Sequence, residues 1–468
     1  MGFVLSILYL LAYFLSPSVI FGPLANFRIE LILAVLIFVA SVPKFLESWV
    51  FKTPQAGALL GLAFTVFVSI FLSEHWFGGA VTGFMMFIPS IYAYFIVCLH
   101  FDTKKKLQTL VLMLLFVCVF DIAHGAIDLY RGASSTAPSV SPTSGRPDMP
   151  LWDEEHPYVL AMKGAQGEWI YRIRGLDVIH DPNDFGQLIV SVIPLLFFFW
   201  KPQKTLSNVI RVVVPLLLLV TGIFLTHSRG ALVALAAVLL FAARRKLGSV
   251  SAMVVTGGMF VAGLALNFTG GREISAESGS DRTDLWSAGL TLLKEHPLFG
   301  VGFGQFKQYA ANTAHNSVVV CAAEVGTVGL FFWSLFLLPT MRNAFVIGSP
   351  KAVEEPIAPA PEAHRRVHYS QIAMKTETLD KAEINLLGWS IALSLVGYLA
   401  AGWFLSRAFV MSLFMLGGIA EVVFEIARRQ GMVAPRMPIA RSLKYSAFMM
   451  VAAVFMIYMM LRLTNLTR

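Results

Sequence analysis

Three arginines and a histidine carry the chemistry that this sequence can offer: Arg174, Arg229, Arg282 and His315. A guanidinium is a planar fork of donors that matches the oxygens of a phosphate or diphosphate. An imidazole exchanges a proton near neutral pH. The set describes a site that steadies an anionic group while a proton is taken up beside it. No EF-hand, DxD or HExxH spacing occurs, so an essential metal is not indicated, no cofactor is implied, and the arginines carry the electrostatic role.

All four stand near helix boundaries. Arg229 lies in THSRGAL, Thr226 to Leu232, a turn between two apolar runs so tight that its charge sits at the membrane edge. Arginine is costly there unless it is paired, snorkels or is functional. A snorkelling anchor and an anion ligand both stay open. Arg282 falls in a short predicted helix capped by Ser280 or Asp281, where Leu285, Ala288 and Leu292, with Trp286, Leu290 and Leu293 alongside, recur at the helical period. That loop should fold back onto the membrane, although Gly289 in its middle opposes helix by roughly 1 kcal/mol against Ala. A cation in the first turn opposes the macrodipole by about 0.3 to 1 kcal/mol, which favours an anionic partner, either Asp281 or a ligand.

Arg172 and Arg174 precede DPND, where Asp181 or Asn183 can cap free N–H groups and Pro182 fits a first turn. A helix start beside positive charge is an anion site, and spacing leaves open which arginine points inward. His315 and Asn316 open the run AHNSVVVCAAEVGTVGLFF. Glu324 lies about 180° round the helix from His315, so the two share no face; Glu324 is expected to pair with a basic residue on a neighbouring helix and support the bundle. GVGFGQF offers a tight backbone path but follows no strand, and a dinucleotide fingerprint is rejected.

The elements that position these residues follow from composition. Of 468 residues, 57% are hydrophobic and 14% charged, with a mean hydropathy of +0.70. That is too apolar for a soluble domain. Apolar runs near the roughly 20 residues of a span recur at 3–20, 29–43, 55–73, 79–100, 106–127, 184–200, 208–226, 231–243, 249–268, 315–340, 385–404, 408–427 and 444–462. They predict an all-α polytopic membrane protein of about 12 or 13 transmembrane helices, with two outer loop caps. The first run is read as an uncleaved helix, because no positive residue precedes it. Cys98, Cys118 and Cys321 lie in apolar runs and offer neither disulfides nor a metal set.

Lys104 to Lys106, Lys201, Lys204, Arg244 to Lys246, Arg428, Arg429, Arg436, Arg441 and Lys444 gather in short loops on one side, marking it as cytoplasmic. The net charge of +8 is therefore topological. Membrane lipids, and no nucleic acid, are the implied partners. The short loops opposite hold only Arg28, Arg229 and Arg407. Parity opens the loop before span six, the turn after span seven and the loop after span nine on that sparse face, so Arg174, Arg229, Arg282 and His315 can converge at one membrane surface. The domains expected are N-terminal helices over 1–127, an outer loop over 128–183, a core over 184–340 that includes the loop 269–314, a cytoplasmic linker over 341–384, and C-terminal helices over 385–468. A glycan or lipid transporter is the competing class, but no internal repeat is visible. The pairs that resemble a relay, Asp121 with His124 and Glu421 with Glu425, lie near span ends and are read as structural contacts.

THSRGAL, Arg282 followed by Trp286, HPLFGVGFGQF, and AHN followed by Glu324-x-Gly326 and Gly326-x-x-Gly329 together resemble the O-antigen ligase and Wzy-type polymerase superfamily, as does RGLDVIHDPNDFGQ at the start of span six. The resemblance covers roughly residues 170–340. It implies a glycosyltransferase of the C class in the bacterial inner membrane that takes a glycan from undecaprenyl diphosphate on the periplasmic face. The implied acceptor is lipid A core in ligases and another lipid-linked glycan in polymerases. Arg229 and Arg282 match the family's arginines for the lipid diphosphate, His315 its base, Arg174 the arginine before its Pro-Asn block, and His315 with Asn316 its His-Asn block. Asn316 joins the substrate-binding set on this reading, and Asn183 and Glu324 support it. The loop before His315 is short for a bulky lipid A core, which prefers a polymerase over a ligase.

Overall fold

Each of the thirteen apolar runs folds as helix, because a backbone in hydrocarbon must satisfy its own polar groups. A computed structural model describes residues 1–45, 48–133, 151–152, 156–163, 169–266, 268, 276–349, 379–433 and 435–466. The chain begins with α1 (Gly2–Leu15), α2 (Pro17–Ile20), α3 (Ile29–Phe45), α4 (Pro54–Glu74), α5 (Phe77–His100) and α6 (Lys104–Asp128). The strands β1 (Leu151–Trp152), β2 (Val159–Lys163) and β3 (Trp169–Ile173) follow, then α7 (Pro182–Val192), α8 (Thr205–Asn208), α9 (Val214–Thr226), α10 (Arg229–Leu247) and α11 (Ser249–Ala265). The remainder is α12 (Ala276–Glu295), α13 (Phe306–Tyr309), α14 (Ser317–Gly348), α15 (Lys381–Gly402), α16 (Met411–Arg429) and α17 (Ile439–Leu466).

The protein is an all-α polytopic membrane protein. Among the described residues, eight helical segments are long and apolar enough to cross a membrane: α4, α5, Lys104–Arg131, Pro182–Phe199, Thr205–Thr226, α14, α15 and Ile439–Thr464. That is fewer than the 12 or 13 expected. α1 and α11 are apolar but short, and α16 carries Glu421, Glu425, Arg428 and Arg429 along its length. The linker expected over 341–384 lies mostly outside the described residues; within it, α14 runs on to Gly348.

The loop expected on the outer side, over 128–183, holds a small antiparallel sheet that hydropathy does not announce, ordered β1-β2-β3, with Val159 opposite Ile173 and Ala161 opposite Tyr171. Two five-residue strands with mixed polarity give no long periodic signal. Their alternation still matters. Ile170 and Arg172 are buried while Trp169 and Tyr171 are half-buried, and Arg174 extends that inward series by donating its N–H to the Tyr158 carbonyl at 2.9 Å.

Two compact units emerge. The first comprises Met1–Ala40, Leu110–Asp281 and Leu393–Arg407, and the second Ser41–Thr109, Arg282–Ala392 and Ala408–Arg468. In the first, α7 packs on α9 and α10, and α10 on α11. In the second, α14 packs on α4, α16 and α17, and α5 on α4 and α16. Phe87, Tyr94, Phe336 and Phe414 meet edge to face in its core, arrangements worth about 0.5 to 1.5 kcal/mol each beyond burial.

Glu421, Glu425 and His124 of the relay-like pairs have local partners, whereas Asp121 Oδ2 is buried without a hydrogen-bond partner among the described residues. The Glu421 carboxylate accepts from Gln55, Asn343 and Arg436, and Glu425 from Arg428, Arg429 and Arg436. His124 contacts the Phe120 carbonyl through Nδ1 at 2.9 Å.

Candidate functional site

In the first unit the chemistry gathers where β3 meets the starts of α7 and α10. Asp181 is the N-cap of α7: its side chain accepts the Asn183 N–H at 2.7 Å, and Pro182 occupies the first turn. Asn183 is thereby freed to bridge. Its Oδ1 accepts from Arg172 Nη2 at 2.9 Å and from Ser228 Oγ at 2.8 Å. Arg172 Nε also donates to the Thr226 carbonyl at 2.8 Å, satisfying an end of α9 that its own helix leaves open.

Ser228 then caps α10 by accepting the Ala231 N–H, and Arg229 follows as the first residue of that helix, half-buried. Arg229 therefore stands at a helix N-terminus, where backbone N–H groups and a cation together favour an anion. His227 enters this turn in the left-handed region, with φ 46, and its ring packs on Phe224.

Both arginines before the Pro-Asn block point inward, with 3% and 7% of their surfaces exposed for Arg172 and Arg174. Arg174 is tied to backbone: Nε donates to the Pro157 carbonyl at 2.9 Å and Nη1 to that of His180 at 3.4 Å. Burial pulls its pKa down to about 10 against the opposing pull of Asp181, which leaves it charged at neutral pH. Arg407, between α15 and α16, forms an ion pair with Asp184 on α7, and the Tyr398 hydroxyl donates to its carbonyl at 2.8 Å.

In the second unit, α12 and α14 build the histidine turn. The Trp286 indole N–H donates to the Ala314 carbonyl at 3.0 Å, fixing the residue before His315. Asn316 caps α14 by accepting the N–H groups of Val318 and Val319 at 2.9 and 3.1 Å, and is fully buried. Between these two anchors His315 is half-buried with φ 48, a conformation that costs an L-residue roughly 1 to 2 kcal/mol. Arg282 stands one turn before Trp286 on the same face of α12. The helix begins at Ala276, not at the expected cap of Ser280 or Asp281. Gly289 is explained by packing: a Cβ there would strike Val319 and Phe306.

Glu324 departs from expectation. Among the described residues it has no ion pair; its buried carboxylate accepts the Phe306 N–H at 3.3 Å. The reason is a break in α14 at Gly326 (φ 66, ψ −168). There the carbonyls of Ala323 and Glu324 accept from Val301 and Gly302, while Thr327 and Val328 donate to Pro297 and Leu298, all between 2.9 and 3.1 Å. The HPLFGVG loop therefore takes over the hydrogen bonds that the helix gives up. Gly300 (φ 68) and Gly326 lie so close to the opposing backbone that neither has room for a Cβ.

The Ser228 bridge and the Arg407–Asp184 pair were not expected from sequence, and Arg172 and Trp286 were named there without the contacts they make. The inward alternation of WIYRI points to Arg172, and the scarcity of outer-face cations points to Arg407 as well as Arg229. Among the described residues, no group of three or more His, Cys, Asp or Glu side chains is placed to hold a metal ion.

Residues 214–334 match the family model described as O-antigen ligase. That stretch includes Arg229, Arg282, His315, Asn316 and Glu324, and it supports the O-antigen ligase and polymerase superfamily. No curated protein matches the chain.

Proposed function

Starting from the O-antigen ligase match over 214–334, we propose that the protein transfers a glycan from undecaprenyl diphosphate to a sugar hydroxyl at the periplasmic face of the bacterial inner membrane, in O-antigen or exopolysaccharide assembly. The observation that carries this reading is that Arg229, Arg282 and His315 all fall within the matched stretch, Arg229 and His315 at turns fixed by hydrogen bonds and Arg282 on α12, one turn before the Trp286 that anchors the histidine turn. The acceptor oxygen attacks the anomeric carbon, the bond to the diphosphate oxygen breaks, and its electron pair leaves with the lipid diphosphate. Arg229 and Arg282 stabilise that growing charge without a metal. Neutral His315 takes the hydroxyl proton, and a single displacement inverts the anomeric centre.

Arg174 and Asn316 serve this chemistry by positioning: Arg174 holds the loop to the start of α7, and Asn316 fixes the αL turn of His315. Asn183 and Glu324 act as supports in the same sense. A polymerase, whose acceptor is another lipid-linked glycan, is preferred on the short loop before His315. A ligase onto lipid A core is the second reading, favoured by the family's own description. Reconstitution of the purified protein with an undecaprenyl diphosphate oligosaccharide, followed by product sizing, tests this. A ladder of lengths on the lipid supports the polymerase, and attachment to supplied lipid A core supports the ligase. Absence of transfer to either acceptor overturns the enzyme and returns the transporter.

A further inference from the structure

The helix that carries Arg282 and Trp286 has a second, outward face. Trp286, Gly289 and Leu293 are buried, whereas Thr291 and Lys294 are exposed, roughly 130° away round the helix at 3.6 residues per turn. That outward face, with Leu290, forms one wall of a groove of about 500 Å³; Tyr458, Leu461 and Arg462 of α17 form the other. The volume lies in the range of sites that hold small molecules, roughly 300 to 1,000 Å³.

The groove is polarised. Lys294 and Arg462 are its cations, and among the described residues no carboxylate lines it. Arg462 Nη1 donates to the Tyr458 hydroxyl at 3.0 Å, one turn earlier on α17. Depth follows from position, since Arg462 stands at the end of the candidate span Ile439–Thr464, the level of lipid headgroups. Below it, Phe448, Val451, Phe455 and Met459 recur at three to four residues and are all exposed. They form one apolar stripe that leads up to Arg462. A cationic mouth above an apolar track matches an amphiphile with an anionic head and a hydrocarbon chain.

We propose that this groove binds an anionic phospholipid, with its phosphodiester between Lys294 and Arg462 and an acyl chain along the stripe of α17. The proposal stands whether or not the protein transfers glycans. A lipid held there joins α12 to α17 and so steadies the face that presents Arg282 and Trp286.

The test uses the full-length protein in detergent, titrated with phosphatidylglycerol or with phosphatidylcholine of the same chains, with bound lipid read by native mass spectrometry. Wild type should retain phosphatidylglycerol several-fold over phosphatidylcholine. Lys294→Gln combined with Arg462→Gln should lower phosphatidylglycerol retention to the phosphatidylcholine level. Leu290→Trp, which fills the groove and leaves both cations in place, should do the same; it decides the matter should the double variant fail to fold. Inorganic phosphate should not displace the lipid. Equal retention of the two lipids, wild-type retention by a folded variant, or displacement by inorganic phosphate would overturn the proposal.

Discussion

Removing the His315 imidazole should separate binding from chemistry, because in the proposed mechanism the arginines hold the diphosphate and the histidine moves the proton. General-base assistance contributes about 10² to 10⁴ in rate. His315→Ala should therefore lose that factor in kcat in a reconstituted transfer assay while its affinity for the undecaprenyl diphosphate donor stays close to wild type. Full retention of transfer would remove His315 from the reaction. The three arginines and the histidine stood out as candidates because ionisable groups are rare and costly at a membrane edge. Their partners were not. Asn183 joins Arg172 to Ser228 and Asp184 pairs with Arg407 across long stretches of chain, and such meetings are set by helix packing, which no local pattern encodes.

At the scale of elements, every apolar run gave a helix, but the break in α14 was invisible. Gly326 sits in an apolar run where a small residue reads as ordinary packing; its φ of 66 becomes a requirement only when the HPLFGVG loop takes the freed backbone groups. Substitution should expose this. Gly326→Ala meets the Leu298 carbonyl and strains the backbone, a loss of about 1 to 3 kcal/mol or more. Gly57→Ala on α4 meets nothing within 4 Å and should be neutral or stabilising by about 0.5 to 1 kcal/mol. Thermal unfolding in detergent checks both, and a Gly326→Ala melting temperature equal to wild type would contradict the brace. The sheet of the loop over 128–183 escaped notice for the opposite reason: its strands are too short to show a period, although the alternation of β3 decides where Arg172 points.

For the whole molecule, the proposed orientation makes a prediction that the native cysteines leave easy to read. Cys98, Cys118 and Cys321 are all buried, so an introduced thiol is the reactive one. Gln308→Cys, at an exposed position after the HPLFGVG loop, should react with an impermeant maleimide on intact spheroplasts. Lys105→Cys, exposed at the start of α6, should react only after lysis. The reverse pattern would invert the topology that was read from basic loop residues. The left-handed histidine turn also has a consequence for how this protein tolerates change. At His315 the backbone holds an L-residue where Gly or Asn fits better, so replacement by either offers a gain on the order of 1 kcal/mol. A library screened for yield or heat resistance alone would drift toward those replacements at position 315, and would enrich sturdy proteins that have discarded the group proposed to move the proton.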